Sequence, residues 1–227
     1  MFLLILIGTM AISFWASSKV KSSYAKYSRY ANSSGMTGAQ AAAAILQNAG
    51  IRDVQIAAQR GELTDHYDPM RKRLLLSENN FYGRSLAAVG IAAHEAGHAL
   101  QHASAYAPLH LRMASVGITN VASQLVTWLP MLFMFTGFLN LVGALWIIAI
   151  GWGIIMAFNL VTLPVEFDAS ARAKKLLLNL GIVSVGAEEE GVSKMLGAAA
   201  LTYVAAFLTS LAYFLCYLLP LLGGRRD

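Results

Sequence analysis

Four long apolar runs, separated by polar stretches, set the plan of this chain. They are Phe2 to Trp15, Ile118 to Phe138, Leu141 to Leu163 and Leu196 to Leu222. The last three each hold about 20 or more residues, enough to cross about 30 Å of hydrocarbon as helix. The first is shorter, and its positive residues, Lys19 and Lys21, follow it rather than precede it. That order predicts an uncleaved anchor rather than a removed signal peptide. Between the runs the pattern changes. Thr37-Gly-Ala-Gln40 has the spacing of a capping box and opens an alanine-rich helix that Gly50 can close. Val54 and Ile56 alternate with polar neighbours, which predicts a short strand, and Arg73 to Ser77 predicts a second, buried or at an edge. Thr64 to Pro69 carries turn chemistry. A helix is expected from Arg84 to near Pro108. Another should start at Pro164, where a first-turn proline loses no hydrogen bond.

Composition sharpens this into a membrane protein. The 227 residues are 57% hydrophobic and only 13% charged, where a soluble domain carries about 25%. The stretches 17–117 and 164–195 flank the paired second and third spans and must share a side. Together they hold 15 of the 17 Lys and Arg residues, the excess that marks a cytoplasmic face. The net charge of +5 therefore reads as topology and attraction to a lipid surface; no nucleic-acid motif is present. The single cysteine, Cys216, lies in a span and permits no internal disulfide.

The candidate chemistry is His94-Glu95-Ala96-Gly97-His98. Residues four apart share a helix face, so the two imidazoles can aim at one point. That arrangement suits Zn²⁺, with Glu95 placed to take a proton from the water the metal activates. A catalytic zinc needs a third protein ligand and an open position. His102 lies on roughly the same face, but about 12 Å of axial rise separates positions 94 and 102. Glu166, in Pro164-Val-Glu166-Phe-Asp168, is the better candidate: it follows a span directly, on the side of the motif helix, where a carboxylate is costly unless paired. Asp168 can orient a histidine ligand or pair with Arg172. His66, Tyr67 and Arg172 are candidate donors to a developing oxyanion. The Leu74–Leu76 strand either binds substrate along an edge or is buried core.

Thr64-Asp-His-Tyr-Asp-Pro69, Leu74-Leu-Leu-Ser-Glu78, Gly83-Arg-Ser85, Ala92 to Gln101 and Pro164 to Ser170 together resemble the YugP-type neutral zinc metallopeptidases, over almost the whole chain. The resemblance implies a bacterial multi-pass membrane peptidase of the gluzincin kind, with one Zn²⁺ on His94, His98 and Glu166 and Glu95 as base. A distant similarity to HtpX-like peptidases departs at Ser170, where those carry aspartate. The expected architecture is mainly α. It has four transmembrane helices plus a cytoplasmic α+β zincin-like region, divided as anchor (1–16), motif region (17–117), helix pair (118–163), third-ligand segment (164–195) and last span with tail (196–227). Partners would be a protein or peptide substrate and the lipid bilayer. The expected location is the bacterial inner membrane with the site facing the cytoplasm. Two rivals stay open: a site-2-type intramembrane protease, with the motif helix as a span, and a non-enzymatic metal-binding scaffold or transporter.

Overall fold

The computed structural model describes residues 2–136 and 141–223. Phe138 and Asn140, where the expected second span ends and the third begins, and the terminal Arg225 and Arg226 lie outside the described residues. The elements run α1 (Phe2–Tyr27), α2 (Gly38–Asn48), β1 (Gln55–Gln59), β2 (His66–Asp68), β3 (Arg73–Ser77), α3 (Glu78–Tyr82), α4 (Leu86–Ala103), α5 (Ala107–Thr136), α6 (Leu141–Asn179) and α7 (Ala187–Gly223). Among the described residues four helices, α1, α5, α6 and α7, are long and apolar enough to cross a membrane. The motif helix α4 is not one of them.

The membrane helices are longer than the apolar runs that announce them. Helix α1 continues through the Ser/Tyr/Lys-rich stretch to Tyr27, so the boundary after residue 16 falls inside a helix. The boundaries at 117, 163 and 195 likewise fall inside α5, α6 and α7. Pro164 does not start a new helix but sits within α6. A proline there removes one backbone bond. The helix runs on across it, packed against α4, α5 and α7.

The smaller elements form a cap of helix and sheet beside the membrane helices. Thr37 and Gln40 make the reciprocal capping box at the start of α2, and Gly50 ends it with φ 71°. The sheet order is β1-β3-β2, with β1 parallel and β2 antiparallel to β3. Strand β3 is therefore central, paired on both sides, and cannot bind a substrate along an edge. Leu74 and Leu76 are fully buried, each stabilising the fold by about 1.5–3 kcal/mol. The Thr64–Pro69 segment contains a strand as well as a turn. His66 to Asp68 pairs with β3, and the Asp68 carboxylate then accepts from the Met70 and Arg71 amides to turn the chain. One core joins Ile45 of α2, the β3 leucines, Val89 of α4 and Leu177 of α6.

Candidate metal centre

Helix α4 lies in the middle of the molecule, packed by α2, α6, α7 and the sheet. The Ser85 hydroxyl caps it by accepting from the Ala88 amide. Its small residues set how close the neighbours come. A Cβ on Gly97 would lie 2.7 Å from the Ala169 carbonyl oxygen, so only glycine allows this approach of α4 to α6. Ala93, Ala96, Ala169 and Ala173 are fully buried. The glycine inside the His-Glu-Ala-Gly-His sequence is thus what brings a carboxylate of α6 to the two histidines.

The donor atoms converge. His94 Nε2 lies 3.2 Å and His98 Nε2 3.6 Å from Glu166 Oε2, and ligand atoms of the three residues all lie within 4.8 Å of one another. The other nitrogens are held elsewhere: His94 Nδ1 lies 3.1 Å from the Ser170 hydroxyl. His98 Nδ1 lies 3.0 Å from Gln101 Oε1. An amide oxygen only accepts, so His98 carries a proton on Nδ1, and Nε2, which faces Glu166, is the nitrogen left to ligate a metal. Gln101 is fixed in turn, its amide donating to the Val165 carbonyl at 2.7 Å and to Asp168 at 2.9 Å. Arg112 of α5 donates to Glu166 Oε1 at 2.9 Å, which leaves Oε2 for the histidines. Burial opposes a charge on His98, but the Glu166 and Glu95 carboxylates and the Gln101 hydrogen bond together outweigh it and hold the imidazole's pKa above its ordinary value. Two imidazole nitrogens and one carboxylate oxygen, each side chain tied down through its other polar atom, are a donor set that fits zinc.

Other residues singled out from the sequence have different places. His102 is not in the cluster. Its Nδ1 lies 2.9 Å from the Tyr67 hydroxyl, and burial and the nearby charges of His110 and Lys72 lower its pKa. Burial, then Asp53 and Asp68, raise the Tyr67 phenol to about 12. Asp168 holds both of its expected roles in part: it accepts from Arg172 Nε at 2.6 Å and reaches His98 only through Gln101. Ser170 takes the hydrogen-bonding position behind His94. His66 and Tyr67 line a cavity with Glu95 and His98, whereas Arg172 lies over the Tyr106 ring.

Glu95 is buried at 8% exposure and stands at the boundary of two cavities. One, of about 190 Å³, extends between α1, α4 and α7. The other, of about 270 Å³, extends under β2 toward α5. Asp65, Glu95, Glu166 and Tyr203 line both. Arg112, Gln101 and Tyr203 escaped the sequence reading as site residues. Gln101 had a usable signal, being one helical turn after His98. Tyr203 had none, as an aromatic residue in an apolar helix.

Comparison with known proteins agrees with this geometry. A family described as "Putative neutral zinc metallopeptidase" matches residues 2–222. A curated relative from Bacillus subtilis (strain 168), named "Putative membrane protease YugP", is 47% identical over 230 residues, covering 100% of this chain and 99% of the relative. No solved structure matches the chain.

Proposed function

Because the chain belongs to the neutral zinc metallopeptidase family, we propose that it hydrolyses peptide bonds of protein or peptide substrates at a single zinc site in the bacterial inner membrane. His94, His98 and Glu166 hold the ion. The observation that carries this is the convergence of both Nε2 atoms on Glu166 Oε2, each histidine anchored through Nδ1. When bound, zinc activates a water and polarises the scissile carbonyl.

The chain's own groups do the rest. Glu95, next to His94 and bordering both cavities, takes the proton from the attacking water and passes it to the leaving amine. Arg112 holds Glu166 Oε1 and leaves Oε2 turned toward the histidines. His66 and Tyr203 are the donors that face the reacting carbonyl. The membrane helices seat the site at the bilayer boundary, and the basic residues on the motif side support a cytoplasmic orientation.

The test is Glu95→Gln in the purified full-length protein. Zinc content should stay at wild-type level while cleavage of an unfolded protein falls about 10²- to 10⁴-fold. Equal cleavage by the variant would remove Glu95 from the chemistry. A cysteine at the exposed Ser104 in a Cys216→Ser background should react with a membrane-impermeant thiol reagent only from the cytoplasmic face.

A further inference from the structure

The two cavities that meet at Glu95 continue into a third. A cleft of about 1000 Å³ opens beyond the smaller cavity, between the end of α1 and the loops before α4. Tyr24 and Leu63 line both the cleft and the smaller cavity. Leu63 reaches that position because the β1–β2 loop bends sharply there, with φ 55° at Leu63 and φ 109° at Gly61. The three spaces therefore adjoin one another through shared wall residues, a row of neighbouring hollows that together make a groove past the histidine–glutamate cluster.

Its stretches differ in chemistry. Beside the cluster the wall is aliphatic: Val20 of α1, Ile91 of α4, and Met195, Leu196, Ala199 and Ala200 of α7. The two alanines leave room that larger residues would fill. Past Tyr24 and Leu63 the wall turns basic, with Lys21, Arg29 and Arg84 against the single carboxylate Glu62. Among the described residues none of these three cations makes an ion pair.

We infer that this groove binds an extended polypeptide carrying a large apolar side chain next to the scissile bond and acidic residues a few positions further along the same side. The inference rests on the peptidase reading above and adds the class of substrate. An extended chain advances about 3.3 Å per residue, so a few residues carry it out of the apolar pocket into the basic cleft. Continuity with the cluster favours a peptide over a lipid headgroup as occupant of that cleft. A large apolar residue gains by leaving water in the pocket. The carboxylates gain from cations that make no ion pair among the described residues.

The experiment measures binding without turnover. Full-length, zinc-loaded Glu95→Gln protein in nanodiscs of neutral lipid is titrated into labelled peptides, read by fluorescence anisotropy. The peptides carry a central leucine with a triglutamate run before or after it; controls replace the leucine with alanine or the run with triserine. One of the two orders should bind more tightly than its triserine control. Adding Lys21→Gln and Arg29→Gln should erase about fivefold of that advantage, as two partly exposed ion pairs would. Adding Ala200→Leu should weaken the leucine peptide about tenfold and spare the alanine peptide. Equal affinity of all peptides, or insensitivity to both sets of substitutions, overturns the inference. So does an effect of Lys21 and Arg29 that emerges only in anionic-lipid nanodiscs, because it assigns the cleft to headgroups. Wild-type protein is assayed for cleavage of the same peptides in parallel. Cleavage without the binding pattern sinks the substrate class alone. A zinc-loaded wild type that cleaves none of the peptides sinks the peptidase reading, and this inference with it.

Discussion

The two halves of α6, before and after Pro164, obey different solvents. In the first half Val142, Trp146, Ile150 and Leu160 are 41–58% exposed, although all are large and apolar. Such a surface, on a helix long and apolar enough to cross a membrane, suits contact with lipid. In the second half Val165, Ala169, Ala173 and Leu177 are fully buried, and the polar Glu166 and Ser170 are buried with them. There the helix packs on α4 backbone to backbone, and each buried polar group has a partner: Arg112 and the histidines for Glu166, His94 for Ser170. The first half anchors and tolerates. The second half holds the donor atoms of the cluster against α4 and should tolerate little.

That contrast can be broken by substitution. The largest effect is expected at Gly97, where a valine must push α4 away from the Ala169 backbone. The strain is about 1–3 kcal/mol, and zinc should be lost together with thermal stability, measured by metal analysis and by melting in detergent. Next comes Gln101→Leu, which keeps the volume of a fully buried side chain but frees His98 to rotate. Zinc affinity should fall about 10–100-fold by competition with a chelator, and stability should drop by about 1–3 kcal/mol because His98 Nδ1 and the Val165 carbonyl lose their buried partner. In the membrane half, a Cβ on Gly151 would lie 2.6 Å from Val126 Cγ1, a side chain rather than backbone. Gly151→Ala should cost about 1–3 kcal/mol as Val126 shifts, and leave zinc bound. Ile150→Leu, on the lipid face, should be silent in both assays. Equal sensitivity of the two halves would contradict the contrast.

Much of this was readable from residue order. The apolar runs announce the four membrane helices, and the capping box at Thr37 is formed as spelled. The spacing of His94 and His98 places both imidazoles on one face, and Glu166 stands out as a carboxylate that would be costly at a membrane boundary without a partner. What escaped depends on approach between distant elements. Pro164 reads locally as a helix start, yet α6 runs on through it. The apolar Leu74–Leu76 strand reads equally as a substrate-binding edge, and only its pairing with both β1 and β2 makes it core. The chain His98–Gln101–Asp168 exists because Gly97 lets α4 and α6 touch, and no local pattern announces a contact made 67 residues away.

The most direct test of the account is zinc content by mass spectrometry, on protein purified without chelators, for wild type, Glu166→Ala and His102→Ala. The account predicts about one zinc per chain in wild type and in His102→Ala, and loss of the ion in Glu166→Ala. Zinc retained at full affinity without Glu166, or lost without His102, would contradict it.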